Sequence, residues 1–486
     1  VHIHLIGVAG TAMATLAAML QHRGHRVSGS DAGVYPPMSD FLRAEHIEVH
    51  DGYDASHVDP AVDLVVVGNA ISRGNVELEA VLSRRQRYCS LPERIRDEFL
   101  WDRHPIVIAG THGKTTTTSM IAWVLTHAGL DPSLLVGGIA ANFEASYRLG
   151  AGRDFVIEGD EYDSAFFDKT AKFLKYVPET VVVNNVEFDH ADIYPDLAAI
   201  LTAFTRLLRL VPSTGRVFIG ADDAGAASLL ASSAFGTIET FGLSEGAHWQ
   251  ARDIQPGPGG TTFDVWRGAG SGNREPAAGE TRTAGPAPER LGTATVPMTG
   301  EHNVRNALAA IAVASSRGVP FATIVEGLSA FAGVKRRMEL RGVERGVSVY
   351  DDFAHHPTAI AETLRGVRRA YPAARIWALF EPRSASSCLR VFQKAFAEAF
   401  AEADEVLIAS VFRTNVPEDA RLSVPDLVGD LVARGQRAHH VAGTAAMVDL
   451  VAREAREGDL VVVMSNGGFD NIHVRLLEAL RVGAAG

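Results

Sequence analysis

Residues 105–118 read Pro105-Ile-Val-Ile-Ala-Gly-Thr-His-Gly-Lys-Thr-Thr-Thr-Thr118, and the helix-like stretch Met120-Ile-Ala-Trp-Val-Leu-Thr-His-Ala-Gly129 follows. An apolar run of strand length, a glycine turn and a helix form the context in which backbone N–H groups and a helix N-terminus cradle phosphate. Gly110, Thr111, His112, Gly113, Lys114, Thr115 and Thr116 are therefore candidate phosphate-binding residues. The lysine would reach the β and γ phosphates of a nucleotide, and the Thr115 hydroxyl would face Mg²⁺. Ile108 stands where the usual pattern has its first glycine. The plainer alternative is a surface loop with a helix-capping threonine.

A nucleotide-bound Mg²⁺ wants oxygen ligands, so carboxylates are expected nearby. The run Phe155-Val-Ile-Glu-Gly-Asp-Glu161 supplies Glu158, Asp160 and Glu161 at the end of a strand. Asn184-Asn-Val-Glu-Phe-Asp-His-Ala-Asp192 supplies Asp189 and His190 at the end of the next. Taken alone, a histidine such as His190 is more often a capping or packing residue than a ligand.

Working outward, strand-like and helix-like segments alternate along the whole chain, which predicts an α/β fold with parallel sheets. The alternation restarts twice, giving three consecutive domains: a Rossmann-like unit over 1–103, a P-loop ATPase-like sheet over 104–334 and a second Rossmann-like unit over 335–486. The first turn, Gly7-Val-Ala-Gly-Thr-Ala-Met13, resembles a dinucleotide fingerprint, with Asp31 ending the second strand. Ala9 replaces the middle glycine, so the turn reads either as a diphosphate site or as a tight βα connection. Residues 255–292 are rich in Gly, Pro, Ala and charge around one strand-like piece, Thr261-Thr-Phe-Asp-Val-Trp266, and read as a surface hairpin with a mobile loop.

Bulk properties exclude several classes. The 486 residues carry a formal net charge of −12, which argues against non-specific nucleic-acid binding. No apolar run is long enough to span a membrane, and the first strand begins too early for a leader peptide. Cys89 and Cys388 form no paired motif, so neither a disulfide framework nor a zinc site is expected, and a reducing cytoplasm fits.

The ordered set Gly110-Thr-His-Gly-Lys-Thr-Thr-Thr-Thr118, Glu158-Gly-Asp-Glu-Tyr-Asp163, Asn184-Asn-Val-Glu-Phe-Asp-His190, Gly300-Glu-His-Asn-Val-Arg-Asn306, Gly333-Val-Lys-Arg-Arg-Met338 and Asp351-Asp-Phe-Ala-His-His-Pro-Thr358 resembles the ATP-dependent Mur ligases of peptidoglycan synthesis. That family has a phosphate loop without the first glycine, so Ile108 is its form rather than a defect. The resemblance implies domains that bind, in order, a UDP-sugar, ATP and the incoming amine. It implies ATP and Mg²⁺ as cofactors, Lys114 and Thr115 on the phosphates and first metal, Glu158 on that metal and His190 on a second. Asn303 and Asn306 would face the adenine, and Arg336 or Arg337, with Asp351, would reach the nucleotide across a domain boundary. Gly7, Gly10, Thr11, Ser30, Asp31, Asn69 and Ala70 would hold the UDP-sugar. Arg383 and Ser384, in Phe380-Glu-Pro-Arg-Ser384, would meet the amine substrate.

Within the family the similarity leans to the branch joining UDP-N-acetylmuramate to the recycled murein tripeptide L-alanyl-γ-D-glutamyl-meso-diaminopimelate. The alternative is the branch that adds L-alanine to the same nucleotide sugar. Some family members carry a carbamylated lysine after the Asp-His motif, but residues 191–215 contain no lysine, so water or Glu161 would complete the second metal. ATP would activate the lactyl carboxylate as an acyl phosphate, and His355 or His356 would take the proton of the attacking amine. A monomer or weak dimer is expected. Two other classes remain: an oxidoreductase using the Gly7 turn, which leaves the central motifs unexplained, and a P-loop ATPase switch.

Overall fold

The computed structural model describes residues 1–35, 38–191, 193–231, 235–268, 287–413 and 416–482. Among the described residues no helix is long and apolar enough to cross a membrane, and both cysteines are free.

The first sheet is wholly parallel, in the order Glu48–Asp51, Arg26–Asp31, His2–Ile6, Leu64–Val67, Tyr88–Ser90. Strand His2–Ile6 is central, and the strand order reverses direction there. Its end is in register with Ser30 on one side and Val67 on the other. The turn after Ile6, the end of the second strand and the Gly68-Asn-Ala70 turn therefore share one edge, where an open α/β sheet places its ligand crevice.

The second sheet departs from a simple Rossmann unit. Ten strands among the described residues run Glu289–Val296, Gly260–Arg267, Trp249–Gly257, Thr237–Gly242, Arg216–Gly220, Thr180–Val183, His104–Ala109, Asp154–Glu158, Ser133–Ala140, Ala145–Arg148. Six neighbouring strands, Thr237–Gly242 through Ser133–Ala140, are parallel. Beyond Trp249–Gly257, which pairs parallel with Thr237–Gly242, the hairpin with Gly260–Arg267 and the returning strand Glu289–Val296 are antiparallel. The 255–292 region thus contributes strands to the main sheet rather than a detached surface hairpin, because Phe263, Val265, Ala294 and Val296 alternate inward and are fully buried. The loop expected within it falls largely on 269–286, outside the described residues.

Strand His104–Ala109 lies between Thr180–Val183 and Asp154–Glu158, buried along its whole length. Helix Lys114–His127 follows it and packs against helix Glu301–Ser316, whose residues Ala307 through Ala314 are all fully buried. The alanine-rich face lets the two backbones approach closely. Gly110 (φ +136°) and Gly113 (φ +80°) make the intervening turn, conformations that side chains rarely adopt.

The third sheet runs Glu339–Glu344, Val347–Asp352, Leu460–Met464, Ile376–Phe380, Glu405–Ile408, Arg437–His440, parallel except for its first strand. Apolar layers cover both faces, one built on Phe380, Phe396 and Phe400, the other on Trp377, Phe469 and Leu476. Asp352, Met464 and Phe380 end their strands in register, so the segments after them open on one edge.

Candidate active site

Most of the sequence-predicted groups line one cleft of about 870 Å³ between the second and third sheets. Thr111 through Thr116, Glu158, His190, Asn303, Asn306, Arg336, Arg337, His355, His356 and Ser384 all contribute to its wall.

At its centre Lys114 Nζ donates to the Gly110 carbonyl at 2.7 Å, the Thr111 carbonyl at 3.3 Å and Glu161 Oε1 at 2.9 Å. Thr115 Oγ1 donates to Glu158 Oε1 at 3.0 Å, and Gly137 N–H donates to Glu158 Oε2 at 2.7 Å. His190 Nε2 lies 2.9 Å from Glu161 Oε1, so one carboxylate oxygen serves both the lysine and the histidine. Burial works against the charge on Lys114, but Glu161, Asp160 and Glu158 overcome it and raise its pKa. Burial likewise opposes His190, and the bond and charge of Glu161 with the charge of Asp189 still raise it. Glu158 is pushed up by burial, with Lys114 and the Gly137 amide only partly offsetting this.

The phosphate loop is braced from behind. Asn184 Nδ2 donates to Thr117 Oγ1 at 3.0 Å, Thr117 Oγ1 to Asn306 Oδ1 at 3.0 Å, Asn306 Nδ2 to Asn303 Oδ1 at 3.2 Å, and Asn303 Nδ2 to the Thr299 carbonyl at 2.8 Å. Asn185 Oδ1 accepts the His112 N–H at 2.7 Å. Asn303 and Asn306 thus tie the turn to helix Glu301–Ser316 while lining the cleft.

The third sheet reaches over this centre. Arg336 Nη2 donates to the Ser465 and Gly467 carbonyls at 2.7 Å each, and its Nε lies 3.4 Å from Asp351. Arg336 and Arg337 both stack on Phe353, at 5.1 and 5.0 Å. His355 Nδ1 bonds the Phe353 carbonyl at 2.9 Å, and burial lowers the pKa of His355 and of His356 to about 4. Both imidazoles are therefore neutral. Ser386 Oγ donates to Asp189 Oδ1 at 2.5 Å, a contact spanning the two sheets.

Sequence reasoning passed over several groups of this site: Asn184, Asn185 and Ser386, Tyr194, whose hydroxyl donates to the Glu161 carbonyl at 2.7 Å, and Glu187, whose Oε2 accepts from the Thr358 hydroxyl at 2.6 Å. Glu187, Asn184 and Asn185 belong to the same quoted motif as His190, which was the available signal. Thr358 closes the quoted motif that holds His355 and His356, but its pairing with Glu187, like that of Ser386 with Asp189, becomes visible only when the sheets meet.

Three predicted groups lie apart. Arg383 is not in the cleft wall; its guanidinium sits 3.8 Å over the Phe412 ring, 3.5 Å from Glu381, and its stem packs on Gly467, where a Cβ would fall 2.2 Å from it. Asp351, too, lines a smaller pocket of about 180 Å³ with Arg336, Arg341 and His473 rather than the main cleft. Gly7, Gly10, Thr11, Ser30, Asp31, Asn69 and Ala70 gather instead at the edge of the first sheet. There Gly7 and Val8 N–H donate to the Ser30 carbonyl at 2.8 and 3.1 Å, and Ala9 N–H donates to Asp31 Oδ2 at 2.9 Å.

Three family models tile the chain: the Mur ligase family catalytic domain over residues 2–97, the Mur ligase middle domain over 108–314 and the Mur ligase glutamate ligase domain over 336–467. The chain is similar to the UDP-N-acetylmuramate–L-alanyl-γ-D-glutamyl-meso-2,6-diaminoheptandioate ligases of Escherichia coli (41% identity, 98% of each chain) and Haemophilus influenzae (39%, 99% of each). A murein peptide ligase from Psychrobacter arcticus shares 38% identity and superposes with a TM-score of 0.69 over 99% of this chain and 98% of that one. With its three-part α/β architecture and these full-length matches, the chain belongs to the Mur ligase family.

Proposed function

We propose that this Mur ligase is the ADP-forming enzyme that joins the carboxylate of UDP-N-acetylmuramate to the amine of L-alanyl-γ-D-glutamyl-meso-diaminopimelate. The carrying observation is that relatives of that name match end to end at 41% and 39% identity, while a full-length relative named as the L-alanine ligase, from Solibacter usitatus, matches at 36%.

The residues present fit Mg²⁺. Glu161 is 2% exposed and its Oε2 has no hydrogen-bond partner, while Glu158 is a desolvated carboxylate beside the Thr115 hydroxyl. Three carboxylates, Glu158, Asp160 and Glu161, surround the Lys114 ammonium, and such an oxygen-rich, net negative set suits a hard divalent cation. In this reading Thr115 and Glu158 hold one Mg²⁺ and His190, with Glu161, a second. Bound there, Mg²⁺ would neutralise charge on the phosphates during phosphoryl transfer.

The chain's own groups do the rest. Lys114 exchanges its loop carbonyls for phosphate oxygens, and the amides of 110–113 orient them. Asn303 and Asn306 face the adenine, and Arg336, Arg337 and Asp351 reach the nucleotide from the third sheet. Because His355 Nδ1–H donates to a carbonyl, its Nε2 keeps the lone pair that accepts the proton of the attacking amine. His356 is the second candidate for that role. The first sheet's edge, from Gly7 to Ala70, receives the UDP-sugar.

Measuring ADP release with UDP-N-acetylmuramate and either tripeptide or L-alanine tests the reading. Release should require both the nucleotide sugar and an amine, with kcat/KM higher for the tripeptide. Preference for L-alanine would reassign the amine, and release needing neither partner would make the chain an ATPase switch. Arg383→Ala should raise the KM for tripeptide by about 1.5 to 3 kcal/mol of lost charged hydrogen bond and leave that for ATP unchanged. An unchanged tripeptide KM would leave Arg383 as the internal partner of Glu381 and Phe412.

A further inference from the structure

Away from Lys114, the cleft holds a second convergence of side chains that the ligase chemistry does not employ together. His112 comes from the phosphate loop, Glu187 from the segment after strand Thr180–Val183, and His356 from the N-cap of helix Pro357–Ala370. His112 Nε2 lies 3.4 Å from Glu187 Oε2, and His356 Nδ1 lies 3.7 Å from the same oxygen. One ligand atom from each residue falls within 4.8 Å of the others.

A second observation points to a missing partner. His356 is 6% exposed, yet neither of its ring nitrogens has a hydrogen bond. A buried polar side chain in a native protein is nearly always satisfied, and leaving one unsatisfied costs roughly 1–3 kcal/mol. Its ring lies 4.8 Å from that of His112 and faces the same carboxylate.

We propose that His112, Glu187 and His356 bind a divalent cation of the Zn²⁺ or Co²⁺ class, linking the phosphate loop to the first helix of the third sheet. Two imidazoles and a carboxylate are the donor set such borderline cations prefer, whereas Mg²⁺ takes oxygen ligands. Bonds of about 2.0–2.1 Å in tetrahedral geometry set donors about 3.4 Å apart, so His112 and Glu187 already match at 3.4 Å, His356 lies 3.7 Å from Glu187, and the two imidazole nitrogens, within 4.8 Å of each other, close the remaining edge by rotation of the rings. Three protein ligands leave a fourth position open to water or a phosphate oxygen. Thr358 Oγ1, donating to Glu187 Oε2 at 2.6 Å, orients the carboxylate without being a ligand. Glu187 and the two histidines span both sheets, so an ion here holds the cleft closed.

Co²⁺ is the probe. The metal-stripped full-length chain is titrated with Co²⁺ in excess Mg²⁺, reading visible ligand-field bands and bound metal per chain. Expected is one Mg²⁺-resistant Co²⁺ per chain, with bands of nitrogen-containing, low-coordinate geometry. Glu187→Gln and His356→Gln should each lose both bands and metal, while Thr358→Val and His190→Gln retain them. Cooperative melting and near-ultraviolet dichroism confirm folding, and the two ligand variants check each other should one fold poorly. Bands that persist in both ligand variants, vanish in His190→Gln, or yield to Mg²⁺ overturn the site.

Discussion

At the end of strand His2–Ile6, the turn over residues 7–10 closes around a carboxylate: Ala9 N–H donates to Asp31 Oδ2 at 2.9 Å. At the end of strand His104–Ala109, the turn over residues 110–113 closes around an ammonium: Lys114 Nζ takes the Gly110 and Thr111 carbonyls. Both turns follow a buried parallel strand, begin at a glycine with positive φ and lead into a helix. The local grammar is the same, yet one presents an acid and the other a base. A strand–glycine–helix pattern therefore specifies a backbone cradle, and the side chains that fill it specify the charge it handles.

Lys114→Ala breaks the contrast most directly. Ligation should fall roughly 10²- to 10³-fold in kcat, the scale of losing one positioned electrostatic group. The fold should persist but melt lower, because Glu161, nearly inaccessible, loses a cation 2.9 Å away. Near-wild-type turnover in a folded variant would remove the central turn from the mechanism.

The glycines sharpen it. Gly113 sits at φ +80°, and a Cβ there would fall 2.6 Å from Asn306 Oδ1 and 2.9 Å from Asn184 Nδ2. Gly113→Ala should lose about 1 to 2 kcal/mol from backbone strain alone and displace the asparagine brace behind the loop, reducing ATP-dependent turnover. Gly10 has φ −67° and only an ordinary 3.6 Å contact with the Gly7 carbonyl. Gly10→Ala should change stability by less than about 1 kcal/mol, the scale of a helix N-cap exchange. Thermal melts of the pair decide this; equal losses would mean the turns are constrained alike.

What was legible in the sequence follows the same division. The chemistry of residues 110–116 is contiguous, so strand, turn, lysine and helix could be read together. Glu158 was legible because it closes strand Asp154–Glu158; His190, read as the end of the next strand, lies in the segment after it, since that strand stops at Val183. Pairings made only by folding were not: Ser386 reaches Asp189 across 197 positions and Thr358 reaches Glu187 across 171. Arg383 shows the limit from the other side. Strand Ile376–Phe380 does end at the expected edge, but the direction of the side chain is set by Phe412 and Gly467, which no local pattern announces. The hairpin and its strand Gly260–Arg267 were legible, but their place in the second sheet was not, because Gly, Pro and charge across residues 255–292 read as surface, whereas the strands pair into the sheet and bury alternate residues.

Asp31→Ala tests the weaker side of the comparison. Asp31 Oδ2 holds the Ala9 amide, and Oδ1 receives Gly33 N–H at 3.3 Å and the Tyr53 hydroxyl at 3.4 Å. Each is a single hydrogen bond to a partly buried carboxylate; beyond the Gly7 and Val8 amides on the Ser30 carbonyl, the turn is held at Ala9 by this one side chain rather than by a side-chain network like that behind Gly113. Removing it frees the turn over residues 7–10 to relax away from the edge that Asn69 and Ala70 share. If that edge receives the nucleotide sugar, the KM for UDP-N-acetylmuramate should rise by about 0.5–1.5 kcal/mol, up to roughly tenfold, with kcat and the KM for ATP unchanged. A lower KM would reverse the sign: the carboxylate would then be repelling the diphosphate, and the first turn would be a cradle awaiting a charge its own acid opposes.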